Sequence, residues 1–162
     1  MTYLGHKISS DGVQTDPLKT EKIRTWPIPK SVEDLRSFLG LCGYYRKFIK
    51  NYANIVKPLE KMCIDKWNQK TKKKRTALMW DDNLNKSFEE LKLALTSAPV
   101  LCFPKRSGDF ILDTDASHDC IGAVLSQKEG SNEKVIAYAS RKMSESERQY
   151  CITRKELLSV PY

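Results

Sequence analysis

The sequence predicts an α+β chain in two unlike halves: a helical half entered through a hairpin, then a three-stranded antiparallel sheet followed by a helix. Three observations carry that expectation. Leu35, Phe38, Leu39, Cys42, Tyr45, Ile49 and Tyr52 recur at helical spacing as one apolar stripe. Residues 109–115, 120–126 and 134–139 read as strands, joined by short turn-rich connections that favour antiparallel neighbours. Charge also divides the chain. Residues 1–80 hold 17 Lys/Arg and 7 Asp/Glu, a balance of +10, whereas residues 81–162 hold 11 and 13, a balance of −2. A basic half joined to a mildly acidic one is the pattern of a polyanion-binding module followed by something different.

Taken in order, YLGHKISSDGVQ alternates briefly (Leu4, Ile8) before Ser-Asp-Gly, which reads as a hairpin. Asp16-Pro17 opens a short helix that ends before Trp26-Pro27. Ser31 with Asp34 fits a capping box, starting the helix that carries the apolar stripe. Gly40 and Gly43 lie within it, each costing about 1 kcal/mol relative to Ala. Two such residues imply something packed close to the helix backbone. From Lys61 to Met79 the pattern dissolves, and QKTKKKR (69–75) has no apolar face. A boundary is expected there, dividing the chain into 1–62, a basic linker 63–80, and 81–162. NKSFEELKLALTSAP then gives a helix through Phe88, Leu91 and Leu95, stopped by Pro99. After the three strands, Ser144 with Glu147 forms a second capping box, expected to open a helix through Tyr150, Leu157 and Leu158.

Several classes are excluded by composition. No stretch approaches the roughly 20 apolar residues that span a bilayer, and the N-terminus lacks a signal-peptide core. The five cysteines are odd in number and far apart, which argues against a disulfide scaffold or a zinc site and for a reducing compartment.

The stretch DFILDTDASHD (109–119) ends an apolar strand in carboxylates. Asp113 and Asp115 share a face in an extended strand, and like charges there resist ionisation unless a cation lies between them. Asp115 lies 41 residues before Glu156, which sits in the following helix, and that arrangement can converge two carboxylates on hard metal ions. On spacing alone, Asp115 could equally cap the strand–turn junction and Glu156 could be a solvated helix residue.

The motifs TDAS, GAVLSQ, YASR, ERQY and KELL occur in that order, and together resemble the start of the RNase H domain of gypsy-type LTR retrotransposon and related retroviral polymerases. YLGHKISSDGV, WPIPKSVEDLRSFLGLCGYYRKFI and YANIVKPL resemble the palm end and thumb of the same polymerases. The resemblance implies a helical thumb with a palm-end hairpin, then a truncated RNase H-like sheet and helix. It implies that Asp115 and Glu156 are catalytic and bind Mg²⁺ or Mn²⁺, with Asp113 not a ligand. Tyr3, Leu4, Gly5 and His6 stand where the family has its primer grip. Arg36, Gly40 and Tyr44, which share one helix face at i, i+4, i+8, would meet the minor groove of the template–primer. The implied partners are an RNA–DNA hybrid or DNA duplex and the remainder of a Pol polyprotein, with no membrane. The implied location is intracellular, in a cytoplasmic virus-like particle or the nucleus. The family's Y-x-D-D motif does not occur, and its two further RNase H aspartates follow the KELL helix. The ending SVPY reads as a truncated or disrupted frame. Residues 1–162 are therefore expected not to polymerise DNA and to be inactive alone as a nuclease. The alternative reading is a host-retained remnant acting as a nucleic-acid-binding or interaction module.

Overall fold

The computed structural model describes residues 1–69 and 78–160, with side chains described to residue 65 in the first stretch. Most of QKTKKKR, expected to be a linker, lies outside those residues. The chain opens with a small antiparallel sheet in the order β1 (Thr2–Tyr3), β2 (His6–Ser9), β3 (Gly12–Thr15). The expected hairpin is thus β2–β3, with one more short strand before it. Leu4 lies not in a strand, as its alternation with Ile8 implied, but in the turn between β1 and β2.

Helix α1 (Pro17–Arg24) is capped by Asp16, whose side chain accepts from Leu18 N–H. Helix α2 (Val32–Tyr44) starts at Ser31 with both hydrogen bonds of the capping box in place. The apolar stripe does not form one continuous helix. α2 stops at Tyr44, a 3₁₀ turn covers Arg46–Phe48, and Asn51 takes a positive φ of 56° before α3 (Tyr52–Gln69) begins. Asn is among the few residues that adopt this conformation readily. The stripe is nevertheless buried on both sides of the break, because the chain turns around a single core. Leu35, Phe38 and Cys42 of α2 meet Tyr45, Phe48, Ile49, Val56 and Leu59 there. Helix α3 also runs on through residues 63–69, so the expected boundary after residue 62 falls inside a helix.

Helix α4 (Asp82–Thr96), capped by Asp81, adds Leu84, Phe88, Leu91 and Leu95 to the same core. A second sheet then runs β4 (Phe110–Ala116), β5 (Cys120–Glu129), β6 (Asn132–Lys142), all antiparallel. The meander is as expected, but β5 and β6 are longer, meeting at a two-residue turn where Gly130 has φ 62°. Phe110 and Leu112, expected inside, are exposed, because β4 is the edge strand among the described residues. The helix expected from Ser144 to Leu158 is two helices. The capping box opens only α5 (Glu145–Arg148), and Cys151, with extended backbone, starts α6 (Ile152–Ser159).

The two sheets are stitched together. Val13 and Leu101 exchange backbone hydrogen bonds at 2.8 and 2.9 Å, and Cys102 N–H donates to Val135 O at 2.8 Å. A Cβ on Gly12 would stand 2.1 Å from Leu101 O, so only glycine permits that bridge. Val135 and Tyr138 of β6 pack against the helical core, which makes it common to both halves.

Candidate nucleic-acid interface and carboxylate pair

The β1–β2 turn consists of Leu4 (φ 45°) and Gly5 (φ 71°), with Tyr3 and His6 paired across it. Two central residues at positive φ match a type I′ turn, for which Asn-Gly is the favoured sequence. Leucine in that conformation costs about 1–2 kcal/mol. Helix α2 supplies what holds it. The Tyr44 hydroxyl donates to Leu4 O, and the Tyr45 hydroxyl donates to Gly5 O at 2.5 Å. Gly5 O also accepts from Asp16 N–H at 3.3 Å. Adjacent helix residues point about 100° apart, yet both hydroxyls reach one turn, because the helix ends there. Tyr45 is itself the C-cap. Burial pushes its phenol above the ordinary tyrosine value.

His6 completes the cluster. Its ring lies 5.7 Å from Phe48, 5.5 Å from Tyr45 and 5.2 Å from Tyr44, centroid to centroid. Nδ1 is 3.0 Å from Leu4 O, and since a carbonyl only accepts, that nitrogen carries the proton. Nε2 is buried and has no hydrogen-bond partner among the described residues. The outcome is a rigid cage under an apolar tip: Leu4 is 71% exposed, Tyr3 56% and Tyr44 51%.

Arg36 and Gly40 are exposed on the same side of α2 as Tyr44, whereas Leu35, Phe38 and Cys42 face the core. Nothing in the chain comes within 4 Å of a Cβ placed on Gly40, and on Gly43 only the Tyr52 hydroxyl does, at 3.5 Å. Internal packing therefore does not account for Gly40. The structure thus gathers Tyr3, Leu4, Gly5 and His6 with Tyr44, and sets Arg36 and Gly40 along the same helix face. Sequence reasoning missed Tyr45 and Phe48, because their place in the apolar stripe marked them only as core.

Asp113 and Asp115 are exposed on β4, and Glu156 is exposed on α6, which lies across β4 and β5. Neither Asp115 nor Glu156 has a side-chain partner among the described residues. Asp115 pairs with Gly122, and Gly122 with Ser140, so the three share a face. That face meets the start of α3: a Cβ on Gly122 would lie 2.9 Å from Asn51 Oδ1, and Ser140 Oγ accepts from Ala53 N–H at 3.0 Å. Just beyond, Asp119 is bound by Lys57 of α3, sits 3.1 Å from His118 Nδ1, and lies 3.7 Å from Arg148. The hydrogen bond from Lys57, then that from His118, holds its carboxyl down at about 2. Carboxylate oxygens suit a hard divalent cation. However, the described residues hold no group of three His, Cys, Asp or Glu placed to share a metal. Asp115 and Glu156 therefore offer two ligands of the right chemistry and no more.

Comparison with known proteins agrees with this architecture. The RNase H-like domain found in reverse transcriptase matches residues 80–162. The retrovirus-related Pol polyprotein from transposon opus of Drosophila melanogaster is 38% identical over 160 residues, covering 98% of this chain and 16% of that protein. The Pol polyprotein from transposon gypsy, also of Drosophila melanogaster, is 37% identical over 161 residues, covering 98% and 15%. The chain thus spans about a sixth of the length of these relatives. Among solved structures, that of the foamy viral protease-reverse transcriptase dRH in complex with ds DNA superposes with a TM-score of 0.77 at 25% identity, covering 98% of this chain and 26% of that one. With an α+β, RNase H-like second half and relatives that are retrovirus-related Pol polyproteins, this chain belongs to the family of the RNase H-like domain found in reverse transcriptase.

Proposed function

We propose that this chain is the palm-end, thumb and RNase H-like segment of a retroelement reverse transcriptase/ribonuclease H, and that its own activity is to hold a nucleic-acid duplex. The observation that carries the reading is the Leu4–Gly5 turn, strained, exposed and tied through both carbonyls to α2. Strain that the surroundings hold in place clusters at functional sites. The relative solved with ds DNA supports a duplex as the ligand. Residues 1–62 then form the palm end and thumb, and 63–80 a basic linker. Residues 81–162 form a partial RNase H-like domain within a longer Pol polyprotein.

In the whole polyprotein, Asp115 and Glu156 would hold Mg²⁺ or Mn²⁺. When bound, such ions activate water and stabilise the leaving oxygen in hydrolysis of the RNA strand of an RNA–DNA hybrid. Two carboxylates bind divalent metal weakly, so residues 1–162 are expected to bind without turnover. The test is fluorescence anisotropy of a labelled DNA duplex and an RNA–DNA hybrid across a salt series. Affinity should fall linearly on logarithmic axes, and Arg36→Gln should reduce the slope by about 0.9 if Arg36 neutralises one phosphate. Binding indifferent to salt and to Arg36 would overturn the reading. In parallel, hybrid incubated with Mg²⁺ or Mn²⁺ should be cleaved no faster than by an Asp115→Asn, Glu156→Gln control.

A further inference from the structure

The hairpin tip carries the wrong residue for its own stability. Both turn positions have positive φ, where Asn-Gly is favoured, yet the first is leucine. Leu4 does not recover that cost by burial, since it is 71% exposed. Nor does the tip offer ordinary polar contacts. Leu4 O is taken by the Tyr44 hydroxyl and His6 Nδ1, and Gly5 O by the Tyr45 hydroxyl and Asp16 N–H. What remains facing outward is hydrocarbon and ring surface from Tyr3, Leu4 and Tyr44. Beside it the surface is cationic: Arg46, Lys47 and Lys50 follow Tyr45 directly and are exposed, and Arg36 lies on the Tyr44 face of α2.

A ligand for an apolar finger in a basic field must be a polyanion with accessible apolar faces. In a DNA duplex those faces are the C–H surfaces of the deoxyribose rings along the groove, between the phosphates. In RNA the same surface carries 2′-hydroxyls, which an apolar side chain leaves unsatisfied. We propose that Leu4 is the residue that contacts deoxyribose, and that Tyr44 and Tyr45 are positioning residues that hold it in its strained conformation. The proposal rests on the duplex-binding reading above and adds to it a chemistry of contact and a preference for DNA over RNA.

The experiment uses the full chain, a labelled DNA duplex and an RNA duplex of the same sequence. Leu4→Asn suits the turn better, so the melting temperature should rise by about 2–4 °C. Affinity for DNA should nevertheless fall by roughly fivefold or more, as expected when a few methylene groups lose their contact. The change on RNA should be under about twofold, and the salt slope should stay unchanged, because no phosphate contact is lost. Leu4→Met, which stays apolar, should restore DNA binding. Tyr45→Phe, which removes the bond to Gly5 O, should weaken DNA binding at an unaltered slope. Leu4→Asn binding DNA as tightly as the parent, or losing equally on both duplexes, would overturn the proposal while leaving duplex binding intact. Absence of salt-dependent binding by the parent chain would instead overturn the reading on which it rests.

Discussion

At the scale of single residues, Asp119 joins the two halves by charge. It draws Lys57 from α3 and Arg148 from α5 onto the turn that follows Asp115. Its folded value of about 2 lies below the roughly 3.9 of an unfolded aspartate. A carboxyl lowered in this way stabilises the fold fully above about pH 4, and the contribution is lost as pH falls through about 2. Glu129, held to about 2 chiefly by Lys105, and Glu147, held to about 2 chiefly by Arg141, follow the same course. Asp119→Asn should therefore lower the melting temperature at neutral pH and flatten, without abolishing, the decline between about pH 4 and pH 2. Melting curves in a pH series test this. A variant curve parallel to that of the parent would show that Asp119 contributes nothing through its charge. Asp115 sits four residues away in the chain and has no such partner, so Asp115→Asn should leave stability within about 0.5 kcal/mol of the parent.

At the scale of elements, α2 shows how one helix serves two purposes. Its inner face builds the core, and its outer face keeps a glycine that internal packing does not require. Gly40→Ala meets open space, so it should stabilise the helix by about 1 kcal/mol, raising the melting temperature by about 2–4 °C. If the nucleic-acid backbone approaches there, the same change should weaken duplex binding. A variant that is more stable and binds equally well would make Gly40 a neutral position. Gly43→Ala is a useful contrast, because its new methyl would touch the Tyr52 hydroxyl rather than solvent or ligand.

At the scale of the whole molecule, the basic and acidic halves share one core. Phe38 stacks on Phe88 at 4.6 Å between ring centroids, and Val135 and Tyr138 of β6 close the same cluster. We therefore expect one cooperative thermal transition for both halves. Phe38→Ala should cost about 3–5 kcal/mol and lower that transition for helices and sheet alike. Circular dichroism for the helices, and fluorescence of a label on β6 for the sheet, should give coincident curves. Two separated transitions would restore the division into independent domains that the charge asymmetry suggested.

Much of this was legible from residues a few positions apart. Ser31 with Asp34, Asp16 before Pro17, and the turn residues between the strands specify local hydrogen bonds, and all three produced the expected elements. The breaks were not legible. Asn51 ends the apolar stripe as a helix, and Cys151 divides the last helix, because each serves packing among distant segments while periodicity reports only that a residue is buried. At the candidate site the sequence by itself determined which residues are available: two carboxylates in RNase H-like motifs, a turn with leucine in it, and a helix face with a glycine. Only the tertiary structure decided that Tyr44 and Tyr45 hold a turn 40 residues away and that Leu4 stands exposed above them. The reason is physical. Capping and periodicity act over three or four residues, whereas two hydroxyls can meet two distant carbonyls only after a shared core has closed the chain between them.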